Sequence, residues 1–162
     1  MRAAWAKAWA HHALVAFALA CAFHVDRSGL VSAEEGTVWL GGYQGGRVSL
    51  LLDSESAPIR HLVGCVIEVT GLGTPAGIVV SDWHVTDAGD GSSGFVGLLK
   101  AYGARLLLDD RNTKSTLVID DAAVPQLRAA AGHPVLVVGT VVGPGQVRVM
   151  AWRLLDETAS AP

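Results

Sequence analysis

A spaced pattern of glycine, valine and tryptophan occurs twice in the chain, and it constrains the fold more than any single motif does. One set of matches aligns Gly36, Val38, Leu40, Gly45, Arg47 and Val48 with Gly94, Val96, Leu98, Gly103, Arg105 and Leu106. A second set aligns Gly64, Ile67, Val69, Gly71 and Trp83 with Gly132, Val135, Val137, Gly139 and Trp152. Self-similarity at fixed spacing predicts a duplicated structural unit. The alternative is two independently β-rich halves.

Both units are predicted to consist of β-strands, because alternating apolar residues lie between clusters of glycine. We expect the first unit at 36–87, the second at 94–156 and a polar tail at 157–162. The second unit has the order strand, strand, strand, helix, strand, strand, at 95–99, 104–109, 115–120, 124–131, 134–142 and 146–155. The first unit lacks a recognisable third strand and most of the helix. The sequence therefore predicts a mainly β protein of about nine strands with one short helix.

The order of elements in the second unit resembles that of the OB fold, a small five-stranded barrel. Gly132 before the fourth strand and the run 135–139 are similar to the later half of that fold. The resemblance covers about residues 94–156. It implies two tandem OB-like antiparallel units, of which the one at 36–87 is a truncated copy.

The N-terminus differs in kind from the rest of the chain. Arg2 and Lys7 precede an unbroken apolar run at 13–23, and no acidic residue precedes Asp26. This layout is typical of an export signal, so residues 1–25 are interpreted as a signal peptide or membrane anchor and 26–35 as a linker. Three outcomes stay open. Cys21 is lipidated, the chain is cleaved after Ala20 without lipid, or the segment is retained as an anchor.

The charge balance argues against nucleic-acid binding. Without residues 1–20, ten basic residues are set against 15 acidic ones, which leaves a formal charge of −5. A chain of this charge gains no general affinity for phosphate, and the predicted second and third strands of the second unit contain no aromatic residue on which a base could stack. We expect a protein partner in the cell envelope. We also expect association with a membrane, either through the N-terminal segment or through lipid on Cys21.

Four residues are candidates for ligand binding. Trp39 and Tyr43 lie in a glycine-rich stretch where an aromatic pair can meet a ligand or a partner. Asp82 and His84 are two residues apart on a predicted strand, so they point the same way and form a possible carboxylate–imidazole pair. Packing of Trp39 and a solvated His84 are the competing structural interpretations. Trp83 and Trp152, present in both units, are expected to pack in the interior.

Other motifs give no catalytic set. The acidic pairs Asp109/Asp110 and Asp120/Asp121 are interpreted as turn residues, with a loose cation site as the less favoured alternative. Cys65 lies in an apolar run and is expected to be a small buried hydrophobe. We expect no catalytic residue, no metal and no cofactor. The sequence favours a non-enzymatic exported envelope protein that binds a protein or acts as a scaffold. The alternative is a small-ligand or saccharide binder that uses Trp39/Tyr43 or the Asp82/His84 rim.

The N-terminal interpretation predicts the mass of the mature chain. Intact mass spectrometry of the protein from native membranes should show loss of residues 1–20 and a lipid on Cys21. The same loss without lipid, in the soluble fraction, would indicate simple cleavage. A full-length mass would contradict both cleavage interpretations.

Overall fold

The computed structural model describes residues 23–42, 45–120 and 125–156, and within these ranges the protein is mainly β, with ten strands in two sheets and almost no helix. The strands are β1 (Phe23–Glu34), β2 (Thr37–Gly41), β3 (Arg47–Leu51), β4 (Val66–Thr74), β5 (Gly77–Asp87), β6 (Ser93–Tyr102), β7 (Arg105–Asp110), β8 (Ser115–Asp120), β9 (Pro134–Gly143) and β10 (Gln146–Leu154). Two short 3-10 helices, η1 (Ala57–His61) and η2 (Pro125–Ala130), follow β3 and β8.

Each sheet closes on itself. The first barrel has the order β1-β2-β3-β5-β4 and the second has the order β6-β7-β8-β10-β9. In both barrels the third and fifth strands are parallel, and every other neighbouring pair is antiparallel. Closure leaves no free sheet edge, which removes a common site of unwanted strand pairing.

The two barrels share their strand register. Leu30 of β1 pairs with Gly41 and Val66, and Leu98 of β6 pairs with the corresponding residues of its own barrel, Asp109 and Pro134. The same backbone bond joins β1 and β6 to the segment before the fourth strand. Val31 N donates to Cys65 O at 2.9 Å, and Leu99 N donates to His133 O at 3.1 Å. The paired residues at the centre of each strand of the first barrel therefore have identifiable counterparts in the second.

This register confirms one set of sequence matches and shows that the other was wrong. The matches of 64–83 with 132–152 join true counterparts, because Val69 pairs with Trp83 and Val137 pairs with Trp152. The matches of 36–48 with 94–106 align each strand of the first barrel with the strand that precedes its true counterpart in the second. Gly94 lies in β6, whose counterpart is β1, whereas residues 37–41 form β2.

The predicted linker at 26–35 was also wrong, because β1 occupies Phe23–Glu34. Its outward positions carry Asp26 and Ser28, and one inward position is the glycine at 29, so the apolar alternation of a strand is faint. With β1 included, the first barrel is complete. Strand β3 and helix η1 supply the third strand and the helix that the first unit was predicted to lack, and the strand count is ten instead of nine. Residues 1–22 and 157–162, which contain the proposed signal and the tail, lie outside the described ranges.

The interiors of the barrels are filled by aliphatic side chains, and the first interior extends into the contact between barrels. Trp83 (3 % exposed) and Val85 of β5 belong to the same buried cluster as Val96, Leu136 and Leu155 of the second barrel. Trp83 therefore packs in the interior as expected, while Trp152 is partly buried against the second core. Burial of one large apolar side chain contributes roughly 1.5–3 kcal/mol, so this shared cluster holds the two barrels together.

Closure of each barrel depends on a glycine at one equivalent position. A Cβ on Gly29 would lie 2.0 Å from Gly41 O, and a Cβ on Gly97 would lie 2.0 Å from Asp109 O. Real side chains do not approach a backbone oxygen so closely. Only glycine lets the first and second strands cross at this distance.

We expect Gly29→Ala and Gly97→Ala each to lower the free energy of unfolding by about 3 kcal/mol, because the added methyl forces the strands apart. Urea unfolding followed by circular dichroism measures the change. Gly41→Ala is the matched control, since its Cβ would meet nothing closer than Leu30 O at 3.6 Å. Equal midpoints for Gly29→Ala and Gly41→Ala would contradict this account of closure.

Candidate functional site

Trp39 lies on the outer surface of the first barrel. Its neighbours on β2, Val38 and Leu40, point into the core, so the intervening side chain must point outward. In the register of the sheet it is flanked by Ser32 on β1 and Ser49 on β3. The indole therefore stands between two small polar side chains and is only partly buried.

A charged pair lies against this indole. The Arg47 guanidinium is 4.4 Å from the centroid of the Trp39 ring, and its Nη1 donates to Glu34 Oε2 at 2.6 Å. Both charged side chains are more than half exposed (56 % and 58 %), so the ion pair adds at most about 1 kcal/mol to stability. We call Trp39, Arg47 and Glu34 the Trp39 face. Its arrangement is not required to hold the barrel together.

The second barrel carries different residues on the corresponding surface. The counterparts of Trp39 and Arg47 are Leu107 and Thr116. Beside them, Asp109 accepts hydrogen bonds from Lys100 Nζ and from Thr116 Oγ1. The bond from Lys100, followed by that from Thr116, holds the pKa of Asp109 below its ordinary value. This surface thus carries the Lys100–Asp109 pair beside the aliphatic Leu107, and the stack of Arg47 on Trp39 belongs to the first barrel.

Asp82 and His84 do not form the pair that their spacing suggested. Asp82 Oδ1 accepts a bond from Arg111 Nη2 at 2.9 Å, and His84 Nε2 lies 3.2 Å from Glu68 Oε2. Glu68 is directly opposite His84 on β4, and cross-strand neighbours lie closer than residues two apart on one strand. The structure brings neither of them to Trp39. Tyr43 and Cys21 lie outside the described ranges.

Two arginines of the second barrel hold the contact between barrels, and neither was predicted from the sequence to do so. Arg111 donates from Nε to Trp83 O at 3.2 Å, and its guanidinium is 4.6 Å from the Trp83 ring centroid. Arg153 donates to Val63 O at 3.3 Å and to Cys65 Sγ at 2.8 Å. Only their position across the contact shows what they do.

Cys65 is fully buried at this contact, as its apolar neighbours in the sequence predicted. Burial raises the pKa of the thiol, and the nearby Arg153 only partly offsets the effect. A protonated thiol is a poor nucleophile. The position of Cys65 is therefore that of a packing residue.

The acidic pairs do not converge on a common point. Asp109 is bonded to Lys100, Asp110 accepts bonds from Thr113 N and Oγ1, and Asp120 Oδ2 lies 3.4 Å from Arg148 Nε. Asp121 is outside the described ranges. Among the residues that the structure describes, no group of three or more His, Cys, Asp or Glu side chains is placed to hold a metal ion.

Two open depressions lie near η1. The larger, of about 400 Å³, is formed by Ser54, Ala57, Pro58, Arg60, His61, Pro134, Leu155 and Asp156. The smaller, of about 300 Å³, is formed by Gly36, Thr37, Val38, Leu50, Leu51, Leu52 and Arg60. Neither includes Trp39, Asp82 or His84, so the depressions and the predicted ligand residues are separate features.

Comparison with known proteins gives no relative from which a role can be transferred. No protein-family model matches the chain, and neither a curated protein nor a solved structure shows significant similarity to it. In the described part of the chain, no helix is long and apolar enough to cross a membrane. The case for a function therefore depends on the surfaces described above.

The arginine contacts are expected to stabilise the packing of one barrel against the other. Arg111→Ala removes the partner of Asp82 and of the Trp83 carbonyl, and we expect it to lower the free energy of unfolding by about 2 kcal/mol. Arg105→Ala, at an exposed position of β7, makes the same change in net charge and is the control. Chemical unfolding monitored by tryptophan fluorescence compares the two. Equal stabilities would show that the Arg111 contacts do not contribute.

Proposed function

We propose that the protein is a non-enzymatic, exported protein of the cell envelope that binds a partner protein through the Trp39 face. In this proposal its scaffold is a pair of tandem OB-like barrels. The N-terminal segment directs export and attaches the chain to a membrane, either as an anchor or through lipid on Cys21. The remaining alternative is cleavage without lipid. It would leave the chain unattached through its N-terminus, and the binding role would be unchanged.

The OB-like assignment is supported by strand order. Each barrel has three strands, a short helical segment and two further strands, with the third strand beside the fifth. OB folds commonly bind ligands on the outer surface around strands two and three. Trp39 lies on β2 and Arg47 on β3, so the Trp39 face occupies that position.

A protein partner is favoured by the composition of the Trp39 face. Tryptophan and arginine are the residue types that most often dominate the binding energy of protein interfaces, because they combine a large apolar area with polar contacts. The stack of Arg47 on Trp39, fixed by Glu34, is the observation that carries the proposal. It presents a pre-arranged aromatic and charged surface, which lowers the entropy lost on binding.

A binding role is also favoured over catalysis. The candidate acid–base groups are engaged with one another, as in the Asp82–Arg111 and His84–Glu68 pairs. A catalytic carboxylate or imidazole is commonly held in a cleft. The side chains of Asp82, His84 and Glu68 are instead exposed, at 60 %, 45 % and 46 %.

The saccharide alternative uses the same indole in a different way. Sugars bind aromatic side chains by stacking on an open ring face. Arg47 already covers one face of Trp39, which favours a protein partner over a sugar. The experiment must therefore distinguish binding of an envelope saccharide from binding of a partner protein.

We expect Trp39→Leu to weaken partner binding by about tenfold or more, because a central interface tryptophan contributes upwards of about 1.4 kcal/mol. The variant introduces the residue that the second barrel carries at this position, so the barrel should stay folded. The full-length chain is used to capture proteins from native envelope, and the dissociation constant of each captured partner is then measured for both forms.

Leu107→Ala, at the corresponding position of the second barrel, is the matched control and should retain binding. Loss of binding in both variants, or in neither, would contradict a role for the Trp39 face. Retention of purified envelope saccharide by the wild type and not by Trp39→Leu, with no captured protein, would support the alternative.

A further inference from the structure

One end of the first barrel carries an exposed apolar row. Leu51, Val79 and Leu72 are aligned across three neighbouring strands, β3, β5 and β4, by the register of the sheet. Their side chains point outward and are 39 %, 43 % and 49 % exposed. We call these three residues the apolar row. No residue of the segment 71–80 is ionisable, so the hairpin that carries two of them is uncharged.

The fold does not require these residues to be apolar. In the second barrel the counterparts of Leu51, Val79 and Leu72 are Asp120, Arg148 and Thr140, aligned in the same register. There, Arg148 Nε lies 3.4 Å from Asp120 Oδ2. The same barrel geometry thus carries an ion pair in one copy and three aliphatic side chains in the other.

The chain enters the first barrel at this same end. Phe23, the first residue of β1, pairs with Gly73, the neighbour of Leu72. Its ring is 65 % exposed and lies against Gly73, where an added Cβ would meet the ring at 2.8 Å. The described structure therefore begins at the rim of the barrel beside the apolar row.

Little chain separates the proposed attachment from this rim. Because β1 begins at Phe23, within the apolar run at 13–23, no linker separates that run from the barrel. From Cys21 to Phe23 the chain spans at most about 7 Å, even fully extended. A lipid on Cys21, or an anchor ending near it, holds this end of the barrel at the membrane surface.

We propose that the apolar row is a membrane-contact surface that seats the first barrel on the lipid. The inference rests on the proposed membrane attachment through the N-terminal segment. It is independent of the binding role of the Trp39 face.

The row is too small to be explained by self-association. Stable dimers bury about 1,200–2,000 Å² in total, far more than three partly exposed aliphatic side chains provide. A tethered protein needs much less area, because the tether already supplies a high effective concentration at the surface. Insertion of a few aliphatic and aromatic side chains at the interface is then enough to fix orientation.

A photoreactive benzoylphenylalanine at position 79, and separately at position 148, tests the inference in the full-length chain. The chain is irradiated in native membranes and in vesicles of phosphatidylethanolamine and phosphatidylglycerol, and adducts are read by intact mass. We expect about tenfold more lipid adduct at position 79 than at position 148, since only the first faces the bilayer.

A double variant distinguishes apolar contact between the row and the lipid from simple closeness of the barrel to the membrane. Leu72→Thr combined with Val79→Arg introduces the residues that the second barrel carries in the same register, so the first barrel should remain folded. With the probe at position 51, the lipid adduct should fall about fivefold in this variant. The converse change, Thr140→Leu with Arg148→Val, should create no adduct at position 120. Urea unfolding shows whether each variant is folded. If a variant does not fold, the comparison of probes at positions 79 and 148 in the otherwise unchanged chain tests the inference by itself.

Three outcomes would overturn the inference. They are equal lipid adducts at positions 79 and 148, cross-links from position 79 to residues 1–22 or to a second copy, and recovery of the native chain in the soluble fraction only. The last result also removes the proposed attachment but leaves the Trp39 binding experiment intact. Loss of Trp39-dependent capture with a lipid adduct at position 79 would refute the binding role and leave the membrane surface standing.

Discussion

The packing of the second barrel against Trp83 is the contact on which the rest of the structure depends. Val96 and Leu136 point outward from the second barrel, yet they are buried because they cover Trp83 and Val85 of the first. Their counterparts in the first barrel are Ser28 and Glu68, which are exposed or partly exposed. The contact therefore joins unlike surfaces of two like barrels.

The asymmetry of that contact explains where specific functions can reside. Residues shared by the two barrels close the strands or fill the cores, as the equivalent Gly29 and Gly97 do. Some residues that differ between them, such as Val96, serve the contact between the barrels, and others lie on the outer surface. The Trp39 face and the apolar row are both differences of this kind, and both lie on the first barrel. In our proposal the first barrel meets the membrane and the partner, while the second braces it through Arg111 and Arg153.

The strands with alternating apolar residues were predictable from the sequence. So was the burial of Trp83 and Cys65, because buried positions are usually occupied by apolar residue types. Strand β1 was missed. Most of its outward positions are polar and one inward position is a glycine, so it resembled a linker until its two neighbouring strands were known. Asp82 and His84 failed as a pair for a related reason. Spacing along one strand cannot reveal that Arg111 and Glu68 lie closer from other strands.

The repeated glycine, valine and tryptophan positions by themselves determined a mainly β protein in two related halves, since alternation and turn residues are local properties. The apolar run at 13–23 also distinguished the N-terminus from the rest of the chain, because hydropathy is a property of the local sequence. Only the tertiary structure decided that both barrels are complete, which positions correspond, and that the chain enters beside an uncharged hairpin. Those facts depend on register and on contacts between residues far apart in the chain, and no local pattern encodes them.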